Sequence, residues 1–72
     1  MTEAVTRIGV FVNGEATSTA ARTVAELLVE AGYGGAKVAT AVNGEFLPER
    51  RRATTTLTTG DHIEVVAPRQ GG

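Results

Sequence analysis

The stretch of this sequence best suited to chemistry is the glycine pair Gly71-Gly72. A carboxylate on a final glycine becomes an acyl electrophile once activated, and the residue carrying it is as slim as a residue can be. Glycine has no Cβ, so it passes where one backbone must approach another closely. The residues before it, Pro68-Arg69-Gln70, offer no apolar anchor except the proline ring. Such a segment is expected to project from a folded body. The sequence therefore divides into a domain over 1–67 and an extended, flexible tail over 68–72. Terminal glycines also occur as frayed ends and linkers, so the body decides between a working tail and an idle one.

The body offers few other reactive groups. There is no cysteine among the 72 residues, which removes disulfides, thiolate metal ligands and a cysteine nucleophile. The single histidine, His62, opens an apolar-alternating stretch and reads as a surface strand residue, with no Ser/His/Asp set around it. His62 and Glu64 share a strand face, but two ligands leave a zinc site incomplete. The glycines at 32, 34 and 35 follow a helical stretch instead of opening one, so they do not form a phosphate loop. The reading is a non-catalytic protein with no metal and no bound cofactor. A net charge of -1 argues against nucleic acid as partner, since backbone neutralisation needs a basic surplus. The run Arg50-Arg51-Arg52, flanked by Glu45 and Glu49, reads as a solvated loop or as a steering charge for an acidic partner. No apolar run approaches the roughly 18 residues of a membrane span, and Met1-Thr2-Glu3-Ala4 has no basic leader. A cytoplasmic location is the expectation.

The elements that would carry the tail are legible in order. Ile8, Val10 and Val12 alternate with Arg7, Gly9 and Phe11, the period of a half-buried strand. Asn13-Gly14 is the favoured pair of a two-residue hairpin turn, with a weaker return strand over 15–19. Thr23-Val24-Ala25-Glu26 reads as a capping box in which Glu26 reaches back to the Thr23 N–H. Val24, Leu27, Leu28 and Ala31 then recur on one helical face. Gly32 is placed to end the helix, with Tyr33 folding back over its last turn. Residues 37–42 form another strand, with Val38 and Val42 inward. Asn43-Gly44 repeats the hairpin turn, so Val-Asn-Gly-Glu occurs at both 12–15 and 42–45. A short segment with Phe46 and Leu47 ends at Pro48, which cannot donate to a ladder. Residues 49–59, charged and then rich in threonine, read as an irregular crossing held by Leu57. Gly60-Asp61 turns into a last strand over 62–67, with Ile63 and Val65 inward and His62, Glu64 and Val66 outward.

One apolar helix stripe and one apolar sheet face close a single core. The class is α+β, a mixed sheet of four to five strands packed on one helix, and the order resembles the ubiquitin-like β-grasp. That resemblance implies first and last strands side by side and parallel in mid-sheet, which would give the tail a rigid base. On the sheet face away from the helix, alternation places Ala41 and Val66, with Phe46 near the edge. Together they make a candidate partner-binding patch, although Phe46 also suits a core position.

More of the chain joins this pattern. Thr23-Val24-x-Glu26-Leu27-Leu28, Val38-Ala39-x-Ala41-Val42-Asn43-Gly44-Glu45 with Pro48, Leu57-x-x-Gly60-Asp61-x-Ile63-Glu64-Val65-Val66 and Gly71-Gly72 together resemble the sulfur carrier (ThiS) family of thiamine biosynthesis. The resemblance covers Ile8 to Gly72. It implies that an E1-like adenylyltransferase uses MgATP to adenylylate Gly72. A sulfur donor such as a cysteine desulfurase then leaves a thiocarboxylate there, and a thiazole synthase receives the sulfur. Gly71, Gln70 and Arg69 would thread a partner's active site. Relatives of the same fold and ending carry sulfur for molybdopterin or other pathways, and ubiquitin-like modifiers use the same end to form isopeptide bonds. A β-grasp interaction module with an incidental tail is the remaining alternative.

Overall fold

The structure is a computed structural model that describes residues 6–67. Strand β1 (Ile8–Val12) pairs antiparallel with β2 (Glu15–Thr19), in a register that sets Ile8 opposite Thr19 and Val12 opposite Glu15. The turn between them puts Asn13 at φ 51° and Gly14 at φ 85°. Positive φ at both central positions is what a type I′ turn demands and what Asn-Gly tolerates. Helix α1 (Val24–Glu30) follows, then β3 (Ala39–Val42), β4 (Glu45–Leu47), a 3₁₀ helix (Glu49–Thr54) and β5 (His62–Val66). The sheet order is β2-β1-β5-β3-β4. β5 runs parallel to β1 and antiparallel to β3, so the first and last strands are neighbours at the centre. This is the ubiquitin-like β-grasp arrangement.

Local chemistry sets the helix ends. Thr23 Oγ1 accepts from the Glu26 N–H at 3.2 Å, the N-cap bond expected of this residue type. Glu26 does not return it to Thr23. Its carboxylate accepts from the Arg22 N–H at 2.7 Å instead, and Thr23 itself bridges to Thr56. At the other end Gly32 has φ 94°. The Tyr33 N–H donates to Leu28 O and the Gly32 N–H to Val29 O, the two bonds of a Schellman motif. Tyr33 packs back against the core.

The helix buries Val24, Leu27 and Leu28 against Val10, Leu47, Ile63 and Val65 of the sheet, and Leu57 closes one end. Ile8, Val12, Val38 and Val42 pack at the margin of this cluster. The inward face of β3 is centred on a threonine. Thr40 is 2% exposed, and its hydroxyl donates to Leu47 O at 2.9 Å while accepting from Arg52 Nε at 3.1 Å. Thr19 is likewise fully buried. Its hydroxyl donates to the Glu30 carboxylate and accepts from the Ala21 N–H, tying β2 to the last turn of α1.

Two expectations change here. Part of the irregular crossing is a 3₁₀ helix with Pro48 as its N-cap. The arginine run is not uniformly solvated either. Arg50 and Arg51 are exposed, but Arg52 is 9% exposed. Its guanidinium bridges Thr40 Oγ1 and, at 2.6 Å, Val38 O. The 3₁₀ helix turns this third arginine under the sheet, where it satisfies acceptors that would otherwise be stranded.

Removing that side chain leaves a buried hydroxyl and a backbone carbonyl without their cationic donor. Arg52→Ala is expected to cost about 2 kcal/mol of stability, and Arg50→Ala to stay within about 0.5 kcal/mol of the parent. Urea unfolding of the two variants side by side checks this; equal midpoints would disprove the bridging role.

Candidate functional site

Gly72, Gly71, Gln70 and Arg69 lie outside the described residues, as does Pro68. The structure does describe the base from which that segment departs. β5 has a strand on each side, and its pairing with β3 persists to Val66 opposite Ala39. Its pairing with β1 stops earlier, at Val12 opposite Ile63.

Beyond the regular ladder, β5 is held by the two Asn-Gly turns. Asn13 donates its N–H to Ile63 O at 2.9 Å, and its Oδ1 accepts from the Val65 N–H at 2.8 Å. Asn43 donates its N–H to His62 O at 2.8 Å, and its Oδ1 accepts from the His62 N–H at 3.0 Å. The Asn43 carboxamide also donates to Asp61 Oδ1. The repeated Val-Asn-Gly-Glu therefore does more than turn the chain. Each asparagine replaces a ladder carbonyl at the point where its own strand has turned away. Val65 is buried, so its N–H needs such a partner; an unmet buried donor costs about 1–3 kcal/mol.

The sheet face away from α1 gathers the residues expected from alternation. Ala41 lies directly opposite Phe46 on β4 and opposite Glu64 on β5, while Val66 lies opposite Ala39. Phe46 is 71% exposed and Val66 65% exposed, whereas Ala41 is half-buried between its neighbours. Phe46 is thus a surface residue, and Leu47 takes the core position beside it. The face extends further than those three residues. Phe11 and His62 are cross-strand partners whose rings stack with centroids 4.5 Å apart and planes 14° from parallel. Alternation put both side chains on this face. Their stacking depends on the β1–β5 register, which local sequence does not state. Phe11, His62, Ala41, Phe46 and Val66 thus form a strip on this face, with the Glu64 carboxylate between His62 and Val66 on β5. Among the described residues, no group of three or more His, Asp or Glu side chains is arranged to hold a metal ion.

The sequence profile of the ThiS family matches residues 6–72. The chain belongs to the ThiS family. Among solved structures it is similar to the crystal structure of the thiamine biosynthesis protein ThiS from Geobacter metallireducens. That similarity has a TM-score of 0.76 and 29% sequence identity over 90% of this chain and 100% of that one. None of the curated proteins compared matches the chain. Family membership places this β-grasp protein among the sulfur carriers of thiamine biosynthesis. No helix among the described residues is long and apolar enough to cross a membrane.

If the exposed strip is free of any folding role, its side chains can be cut back at little cost. Phe46→Ala and Val66→Ala are expected to shift stability by about 0.5 kcal/mol or less. Ile63→Ala, on the buried side of the same strand, is expected to cost about 2–5 kcal/mol. Thermal denaturation of the three variants tests the assignment of faces.

Proposed function

We propose that this ThiS-family protein carries sulfur for thiazole formation as a thiocarboxylate on Gly72. A carboxylate is ionised at neutral pH and resists nucleophilic attack. An E1-like adenylyltransferase overcomes this with MgATP. The Gly72 carboxylate oxygen bonds to the α-phosphorus, pyrophosphate leaves, and the product is an acyl adenylate. A sulfide-equivalent nucleophile, drawn from a donor such as a cysteine desulfurase, adds to the carbonyl carbon. AMP departs with the C–O bond electrons and leaves the thiocarboxylate, which then gives its sulfur to a thiazole synthase. The carrier supplies no acid, base or metal to these steps. It acts as a co-substrate, with Gly71 keeping the approach narrow and Gln70 and Arg69 lying along the partner's channel.

The single observation behind this reading is the placement of β5. The strand that leads into the Gly-Gly segment is the central strand of the sheet, bonded on both sides, in a chain of this family. The same strand carries Val66 on the exposed strip with Ala41 and Phe46. A partner that covers this strip is thereby in register with the start of the tail. Exposed apolar surface of this kind favours association, and aromatic residues are enriched at interface centres.

Incubation with the adenylylating enzyme, MgATP and sulfide is expected to raise the intact mass by about 16 Da, the exchange of O for S at the α-carboxyl. Deleting Gly72 should abolish the gain while leaving the circular-dichroism spectrum unchanged. Phe46→Asp should raise the KM for the carrier about tenfold, the effect of losing one apolar anchor at an interface, with kcat retained. A wild-type chain that instead forms ladders of conjugates to lysine would identify a protein modifier. Loading that survives loss of Gly72 would refute the mechanism.

A further inference from the structure

We propose that Asn13 is a positioning residue that aims the C-terminal segment by holding the exit end of β5; the inference rests on the sulfur-carrier reading above. β1 accompanies β5 only as far as Val12 opposite Ile63. At Asn13-Gly14 the chain turns away to begin β2. A continuing ladder would need one more acceptor from the β1 side, for the Val65 N–H. Asn13 supplies it from its side chain across a sequence separation of 52 residues. With its own N–H on Ile63 O, this one residue extends the sheet a rung past the end of β1. Val65 is therefore held from the β1 side just before β5 ends, while β3 holds the other side up to Val66.

Without the carboxamide, the last part of β5 is paired on one side only. A strand fixed along one edge can swing about that edge. A displacement of about 1 Å at a reacting centre costs about 10²-fold in rate. Ala41 and Phe46, on β3 and β4, keep their places when the end of β5 is released, so docking is weakened less than aim. Loss of aim lowers kcat, and loss of docking raises KM.

The second Asn-Gly turn provides the control. Asn43 makes the equivalent side-chain bond to His62, at the entry end of β5. Both asparagines sit at positive φ, 51° and 52°. Glycine adopts that geometry freely, so Asn→Gly removes the acceptor and keeps the turn. Aspartate tolerates the same geometry and keeps an acceptor oxygen.

The full chain is assayed as wild type, Asn13→Gly, Asn13→Asp and Asn43→Gly, with the adenylylating enzyme, MgATP and sulfide. Thiocarboxylate is read by mass, and Val65 amide exchange is followed in parallel. Asn13→Gly is expected to lower kcat about tenfold, the scale of one lost hydrogen bond, with a smaller change in KM and faster Val65 exchange. Asn13→Asp should restore the rate, and Asn43→Gly, which leaves the Val65 N–H bonded to Asn13, should keep Val65 exchange as in wild type. The proposal is overturned if Asn13→Gly turns over like wild type, if Asn43→Gly speeds Val65 exchange as much, or if Asn13→Asp fails to recover. Failure of the wild type to gain sulfur removes the carrier reading and this inference together; normal wild-type loading with an unaffected Asn13→Gly removes this inference alone.

Discussion

The rest of the structure depends on how β5 is accommodated between β1 and β3. A parallel pair cannot be closed by a tight turn, so β1 and β5 meet only after the helix, three further strands and the 3₁₀ helix have been laid out between them. That long return has two effects. It places Ile63 and Val65 over the helix, completing the core with Val10, Leu27 and Leu28. It also places the residues that follow β5 at the end of a strand supported from both sides. The exposed strip and the base of the tail are two aspects of this one strand, since Val66 belongs to both.

Buried polar groups fix the surroundings of that strand. Thr40 and Thr19 replace apolar side chains at two fully enclosed sites, and each hydroxyl both donates and accepts. Arg52 joins the 3₁₀ helix to β3 through the Thr40 hydroxyl and the Val38 carbonyl. A hydrogen-bonded core of this sort specifies one arrangement of its elements, because any shift leaves a buried group unpaired. No buried side-chain nitrogen or oxygen among the described residues lacks a partner.

The order and faces of the elements were legible because their signals are local. Alternation at Ile8, Val10 and Val12, the Asn-Gly pairs, the Thr23 cap and the stop at Gly32 each depend on residues within a turn or two. The strip of Ala41, Phe46 and Val66 followed from the same alternation once the strands were placed. What stayed hidden depends on distant partners. Arg52 reads as one of three equivalent charges until the acceptors on β3 are known to lie beside it. The second role of Asn13 and Asn43 requires the position of β5, and the stacking of Phe11 on His62 requires the register of the parallel pair. The bridge between Thr23 and Thr56 is likewise announced by no local motif.

The central position of β5 also bears on how the molecule comes into being. Contacts this far apart in sequence form late in folding, after the intervening chain has been ordered. Synthesis proceeds from the N-terminus, so β5 leaves the ribosome after the other strands described here. A chain cut short before Ile63 lacks the middle of its sheet and two residues of its core, and it cannot close. The fold thus acts as a proofreader of its own length: a copy that passes as native has been built at least through Val65.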